Sequence, residues 1–395
     1  LGAGVDTGEA EITVNGLDLS TGQGLEPKEP ADLDVGESGT TCRLITPIAA
    51  LTGRACTIHG HGRMHERPIG ALTRVLEQLG VSFTWHGREG YPPFTLSSSG
   101  ITGGEVDVSL EDSSQYLSGL LLAAPLAKGP MRIGISGDKA VSWPYVALTL
   151  QVMQDFGVTP GVQTRMQNRW QDTPWNEITA VRPGRIRFLI EPALYLPRSV
   201  KVEGDWSNAS YLIASGLFLP RGIRVENLNC ESLQGDRAFL DILAAMGASP
   251  VCQKTSVTLS PARLDGAELD MGACPDLVPT VAVLASLARG QSRIGNVAHL
   301  RLKESDRLQA LASEIAKTGC RVELLDDGLV IEPGPDPSGK NIDFATFGDH
   351  RLAMSLSLYQ LAGVQVRLDD PDCVGKSFPA FWKTWETIIQ AQNES

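Results

Sequence analysis

The chain has 395 residues, enough for two or three domains and more than one sizeable core. Asp and Glu number 46 against 34 Lys and Arg, a formal net charge of −12, which argues against general nucleic-acid binding because that needs a basic surface. With 42% hydrophobic and 20% charged residues, wholesale disorder is excluded, and the longest strongly apolar run, residues 116–127, is well short of a membrane span.

No signal-like or transit-like segment opens the chain, and Leu1 starts in mid-pattern. Residues 1–34, with strand-like AEITVNG (10–16) and turn-rich LSTGQGLEPKEP (19–30), read as the tail of a structural unit. From there the chain repeats itself. Apolar helices are expected at 38–53, 113–129, 207–222, 275–290 and 349–363. Apolar on most of their faces, they belong inside a core. Amphipathic stretches with i, i+3, i+4, i+7 spacing lie at 72–83, 148–159, 238–249 and 310–324, with a fifth copy at 378–389. Gly80, Gly157, Gly247 and Gly319 stand where left-handed C-terminal caps belong. The widest interval holds residues 160–198, rich in Trp, Pro and Arg, which reads as an insertion or an elaborated hairpin. A division near residues 199–206 separates two similar halves.

Seven cysteines at 42, 56, 230, 252, 274, 320 and 373 are scattered, odd in number and without a CxxC pair. They predict small buried hydrophobes in a reduced, cytoplasmic compartment, not a disulfide framework or zinc ribbon.

The starts of the apolar helices gather the polar residues. Gly36 to Thr41 with Arg43, then Ser113, Ser114 and Gln115, then Asp276, then Asp349, His350 and Arg351 all fall in first turns. Free N–H groups and the helix dipole favour phosphate or carboxylate there, although Ser, Thr and Asp also serve as plain N-caps. Capping does not account for Arg43 and Arg351, since a cation in the first turn opposes the dipole. Arg67, Lys303, Arg307, Arg351 and Lys376 stand at element junctions, which in an acidic protein predicts a cationic cleft for a small, multiply anionic substrate. His59, His61 and His65 with Glu66 are a weak metal candidate, because HExxH is not completed. No P-loop, dinucleotide fingerprint or G-x-S-x-G is present, which disfavours nucleotide-driven and triad chemistry.

ESGTTCR, RMHERPIG followed by YPP and TGG, SSQYLSGLLLAAPLA, SWPY, VEGDWSNASY, QGD, HLRLKESDR, GDHRLAM and CVGKSFP occur in this order. Over nearly the whole chain they resemble the 5-enolpyruvylshikimate-3-phosphate synthase family. The resemblance implies an α/β (α+β) enolpyruvyl transferase fold, an inside-out α/β barrel of two similar domains built from β-α-β-α-β-β units. The domains are expected at 1–203, with an incomplete first unit, and 204–395, with the active site in the cleft between them. It implies transfer of the enolpyruvyl group of phosphoenolpyruvate to the 5-hydroxyl of shikimate 3-phosphate, in chorismate and aromatic amino acid biosynthesis. Ser113, Ser114, Gln115, Ser142, Tyr145, Asp276, His299 and Lys303 are implied to bind shikimate 3-phosphate. Gly39, Arg67, Gln115, Arg307, Arg351 and Lys376 are implied to bind phosphoenolpyruvate. Asp276 matches the group that takes the hydroxyl proton, and Lys303 and Glu304 the pair that binds substrate and moves protons at the methylene. No metal or organic cofactor, nucleic acid or membrane is implied, and a monomer is expected.

Two positions depart from the family pattern: Glu37, where close relatives often carry Asn, and His299, where some members have Asn. The family's opening PGSKSxxNR stretch has no counterpart after Leu1, so roughly 40–60 residues of a sixth unit are expected ahead of it. If this chain is the entire protein, affinity and turnover should be badly reduced. Two alternatives remain. One is a non-catalytic or impaired paralogue of the same fold. The other is a UDP-N-acetylglucosamine enolpyruvyl transferase, disfavoured because HGHGRMHERP (59–68) lacks the cysteine that family uses.

Overall fold

Glycine punctuates the fold. Gly80, Gly157, Gly247 and Gly319 have φ of +90°, +87°, +93° and +98°, the left-handed region that a Cβ penalises. After the first, Val81 N–H donates to the Leu76 carbonyl at 3.0 Å and Gly80 N–H to that of Glu77 at 3.1 Å, a Schellman closure that turns the chain into its next strand. The computed structural model describes residues 2–8, 11–16, 30–140, 142–179 and 181–393. The chain divides into two halves, 1–199 and 200–395, and each encloses its own apolar core.

In the first half, strand Ala31–Asp34 leads into α1 (Gly39–Leu51), strand Cys56–His59, α2 (Gly70–Gln78) and strands Ser82–Trp85 and Phe94–Ser97. The first two strands pair in parallel and the hairpin adds antiparallel, in the order first, second, fourth, third. The same plan recurs with Gly104–Leu110, α3 (Gln115–Ala123), Met131–Ala140, α4 (Trp143–Asp155), Gly161–Met166 and Ile186–Ile190. The extra strand Arg169–Asp172 folds back on Gly161–Met166, so residues 160–198 hold the repeat's normal closing strands elaborated by one hairpin. Ahead of both repeats, Gly4–Thr7 and Ile12–Asn15 pair as an antiparallel hairpin, while most of the turn-rich stretch 19–30 lies outside the described residues.

In the second half, α5 (Trp206–Ser215), strand Ile223–Glu226, α6 (Phe239–Ala245) and strands Val251–Gln253 and Ser256–Leu259 form a repeat with no leading strand among the described residues. The next is complete: Glu268–Asp270, α7 (Val278–Ser286), Ser292–Gly295, α8 (Arg307–Ala316), Arg321–Leu324 and Leu329–Glu332. The last runs Asn341–Phe344, α9 (His350–Leu356), α10 (Leu358–Leu361), Gln365–Leu368 and α11 (Phe381–Asn393). The expected single helix 349–363 breaks at Ser357, whose hydroxyl donates to the Met354 carbonyl at 2.7 Å. All nine residues of α7 are buried, as an apolar surface on every face requires.

One cysteine expectation is corrected. Cys230 and Cys252 form a disulfide between the loop after Ile223–Glu226 and the strand Val251–Gln253. The segments already meet through backbone, with Cys230 N–H donating to the Lys254 carbonyl at 3.0 Å, a proximity that the sequence spacing does not encode. Cys42, Cys56, Cys274 and Cys320 are buried free thiols.

Candidate active site

The buried helices α1, α3, α7 and α9 each follow the carboxyl end of a strand, where open α/β structures collect their ligand-binding residues. In the first half this gathers the starts of α1 and α3. Ser38 caps α1 by accepting from Thr41 N–H at 3.1 Å, so the capping reading holds there. Arg43, buried one turn in, donates from Nη1 to Gln115 Oε1 at 2.9 Å and from Nη2 to the Pro68 carbonyl at 3.1 Å, and lies over the Tyr116 ring. Gln115 in turn donates to Thr40 Oγ1 at 2.7 Å, while Ser113 Oγ accepts from Gln115 N–H at 3.2 Å. Ser114 holds the N-cap position of α3 without capping it through its side chain. Arg67 donates to the Glu37 carbonyl at 3.0 Å. A Cβ at Gly39 would lie 2.4 Å from Arg67 Nη2 and 3.1 Å from Arg43 Nη1, so both guanidinium groups rest against bare backbone. Gly39, Arg67, Ser113 and Gln115 therefore converge, held together by Arg43. Ser142 and Tyr145 open α4, with Ser142 in the left-handed region at φ +55° and Tyr145 N–H donating to its carbonyl.

In the second half, the convergence is on one carboxylate. Asp276 belongs to the 3-10 turn Pro275–Leu277 ahead of α7 and does not occupy its N-cap. It accepts from Arg307 Nη1 at 3.0 Å and Arg351 Nη2 at 2.9 Å, with Lys303 Nζ at 3.9 Å. Burial alone would raise its pKa; Arg351, Lys303 and Arg307 outweigh that and hold it far below the ordinary carboxylate range. Arg307 also donates from Nη2 to Glu304 Oε2 at 2.8 Å and from Nε to Asp349 Oδ2 at 2.8 Å. Lys376 Nζ donates to the Gly348 carbonyl at 2.9 Å, next to the start of α9. His299 is buried on the turn Ala298–Leu302 that leads into Lys303.

Asp349 is expected from its helix-start position either as an anion- or proton-directing group or as a plain cap. It does cap α9, accepting from Arg351 N–H at 3.0 Å, but it is wholly buried, and its carboxylate also receives Arg307 and the Ser305 hydroxyl. Burial would raise its pKa too, and Arg307 reverses that. His350 is pushed down to about 4, first by burial and then by Arg351, so it is neutral near pH 7. The cation in the first turn of α9 is thus answered by Asp276, as that in α1 is by Gln115 and the Pro68 carbonyl.

The histidine run has other partners. His59 Nε2 lies 3.0 Å from Asp32 and His61 Nε2 2.9 Å from Asp34, while Glu66 pairs with Arg63 at 2.8 Å. Among the described residues, no group of three or more His, Cys, Asp or Glu has metal-binding geometry.

Solved structures share this fold. EPSP synthase from Acinetobacter baumannii superposes with a TM-score of 0.72 over 98% of this chain and 84% of that one, at 21% identity. The enolpyruvyl transferase NikO from Streptomyces tendae gives 0.68 with the same coverages, at 18% identity. The architecture is the enolpyruvyl transferase fold. The sequence model of EPSP synthase (3-phosphoshikimate 1-carboxyvinyltransferase) matches residues 4–385, and the chain belongs to that family. The 3-phosphoshikimate 1-carboxyvinyltransferase of a Sulfurovum species is 36% identical over 94% of this chain and 82% of its own length. That of Actinobacillus pleuropneumoniae serotype 5b is 38% identical over 91% and 79%. No helix among the described residues is long and apolar enough to cross a membrane.

Proposed function

We propose that the chain transfers the enolpyruvyl group of phosphoenolpyruvate to the 5-hydroxyl of shikimate 3-phosphate, releasing phosphate. Membership of the family supports the reaction, and the gathering of Arg307, Arg351 and Lys303 on Asp276 is the observation that carries the residue roles. At rest Asp276 neutralises cations that a multiply anionic substrate would claim. As Arg307, Arg351 and Lys376 turn to the phosphate and carboxylate of phosphoenolpyruvate, Asp276 loses the charges that depress its pKa and becomes a usable base. It takes the proton of the attacking hydroxyl while Lys303 and Glu304 deliver a proton to the methylene carbon. The new C–O bond forms at the carbon bearing phosphate. Return of a proton from the resulting methyl group to the same pair then expels phosphate and restores the double bond. Positive charge developing at that carbon favours carboxylates nearby, with guanidinium groups confined to the departing anion.

In the first half, Ser113, Ser114 and Gln115 offer hydroxyl, amide and helix N–H donors suited to the 3-phosphate, with Ser142 and Tyr145 for the ring side. Gly39 and Arg67 supply a further anion-binding set, and His299 belongs with Lys303 on the sugar-acid side. The protein should release phosphate only when both substrates are present, with the enolpyruvyl ether identified by mass. Phosphate release independent of shikimate 3-phosphate would overturn the assignment.

A further inference from the structure

The motif VEGDWSNASY (202–211) opens α5, yet none of its residues enters the proposed reaction. Asp205 caps the helix, accepting from Ser207 N–H at 2.9 Å and Asn208 N–H at 3.3 Å. Trp206, wholly buried, donates from its backbone N–H to Gln234 Oε1 at 2.9 Å and from Nε1 to the Asn229 carbonyl at 3.1 Å. This first turn is therefore tied down, and its capping needs nothing from the Asn208 side chain. Asn208 reaches away from its own helix instead. Its Nδ2 donates to the Ser377 carbonyl at 3.3 Å, 169 positions further along the chain. Tyr211, one turn on along the same face, meets the Phe381 ring edge-on at 6.1 Å, so α5 holds the segment 377–381 at two points.

Ser377 directly follows Lys376, the last residue of the 3-10 turn Pro371–Lys376. Ser377 N–H and Phe378 N–H both donate to the Val374 carbonyl, at 3.0 and 2.8 Å, which closes the turn from within. The Ser377 hydroxyl makes no hydrogen bond, so it is the carbonyl, through Asn208, that ties this residue to α5. The Lys376 side chain is exposed, and its Nζ donates to the Gly348 carbonyl at 2.9 Å. A lysine carries its charge on a flexible four-carbon stem, so where the ammonium lands depends on the direction in which the turn releases it.

We infer that Asn208 is a positioning residue for Lys376. From a fixed helix turn it holds the peptide just beyond the lysine, and so keeps the ammonium beside the Gly348 carbonyl and the first turn of α9, which carries Arg351. Asn208 touches no substrate and moves no proton. Its contribution is to binding: with the turn held, the ammonium is already placed for the anion, and less freedom is lost when phosphoenolpyruvate arrives.

The inference rests on the proposed reaction, so wild-type turnover is measured beside Asn208→Ala, Lys376→Ala and the double variant. Asn208→Ala should raise KM for phosphoenolpyruvate roughly three- to fivefold, the worth of one neutral hydrogen bond, with kcat and KM for shikimate 3-phosphate changed less than about twofold. In the Lys376→Ala background the same substitution should leave KM for phosphoenolpyruvate unchanged, because the lysine through which it acts is gone. Asn208→Ser, whose hydroxyl is too short to reach Ser377, should match Asn208→Ala and replaces it if alanine prevents folding. Unchanged KM for phosphoenolpyruvate in a folded variant would overturn the inference while wild-type turnover stands. An equal rise in the Lys376→Ala background would overturn it too. Failure of both variants to fold, or equal rises in both KM values with a lowered melting temperature, would make Asn208 a packing residue and also overturn it. Absence of wild-type turnover would overturn the proposed reaction and this inference together.

Discussion

At the scale of single residues, the sites depend on where side chains are missing as much as on where charges stand. Gly39 is such a place. A methyl group there would displace the Arg67 guanidinium, the far end of a flexible side chain, so the fold should accommodate it while the anion site does not. Gly39→Ala should raise KM for phosphoenolpyruvate about tenfold with a melting temperature within a degree or two, as steady-state kinetics and calorimetry would show. His350 gives a prediction in pH. Its folded pKa, about 4, lies below its ordinary 6.5, so the unfolded chain binds the extra proton between those values. Stability therefore falls as pH drops through that window, by up to about 3 kcal/mol for this group. The urea midpoint should drop from pH 7 to pH 5 in wild type and much less in His350→Gln. Much of this scale was legible in the sequence. Arg43 and Arg351 were marked by opposing a helix dipole, and both proved to be answered by polar groups. Asp349 was not, because one residue type serves equally as a cap and as a buried counter-ion, and only depth distinguishes them.

At the scale of elements, α1 and α3 cross where Gly119 meets the Arg43 carbonyl. A Cβ there would sit 2.6 Å from that oxygen and 3.2 Å from the Pro47 ring. Both neighbours belong to a rigid helix, so Gly119→Ala should lower stability by about 1–3 kcal/mol, read as a shift in urea midpoint. It should also loosen the Arg43–Gln115 bond and raise KM for both substrates. Elements were the most legible level. Apolar runs ending in glycine located all five buried helices, since a core helix and a left-handed cap each need a particular residue type. The break at Ser357 was hidden, because serine is ordinary in a helix until its hydroxyl turns back on the backbone. The Cys230–Cys252 bridge was hidden for another reason: pairing depends on which loop the strand Val251–Gln253 lies against.

For the whole molecule, a net charge of −12 coexists with cationic sets at the helix starts. Local charge should govern substrate capture, because screening at ordinary salt confines each field to about 10 Å. The ratio kcat/KM for phosphoenolpyruvate should therefore fall several-fold between low and moderate salt. A rise with salt would show net repulsion in control. The repeat plan was visible as recurring helix types, yet the lack of a leading strand before α5 among the described residues was not, since strand formation there depends on neighbours that local pattern does not specify.

The central claim is that Asp276 is restrained by cations at rest and takes a proton in the reaction. The most direct measurement compares Asp276→Asn with wild type in turnover and in binding of both substrates. Asparagine keeps the shape and loses the basic oxygen. The account predicts a fall in kcat of about 10²–10⁴ with phosphoenolpyruvate binding retained or tightened, since its cations are released. Turnover within a few-fold of wild type would contradict it.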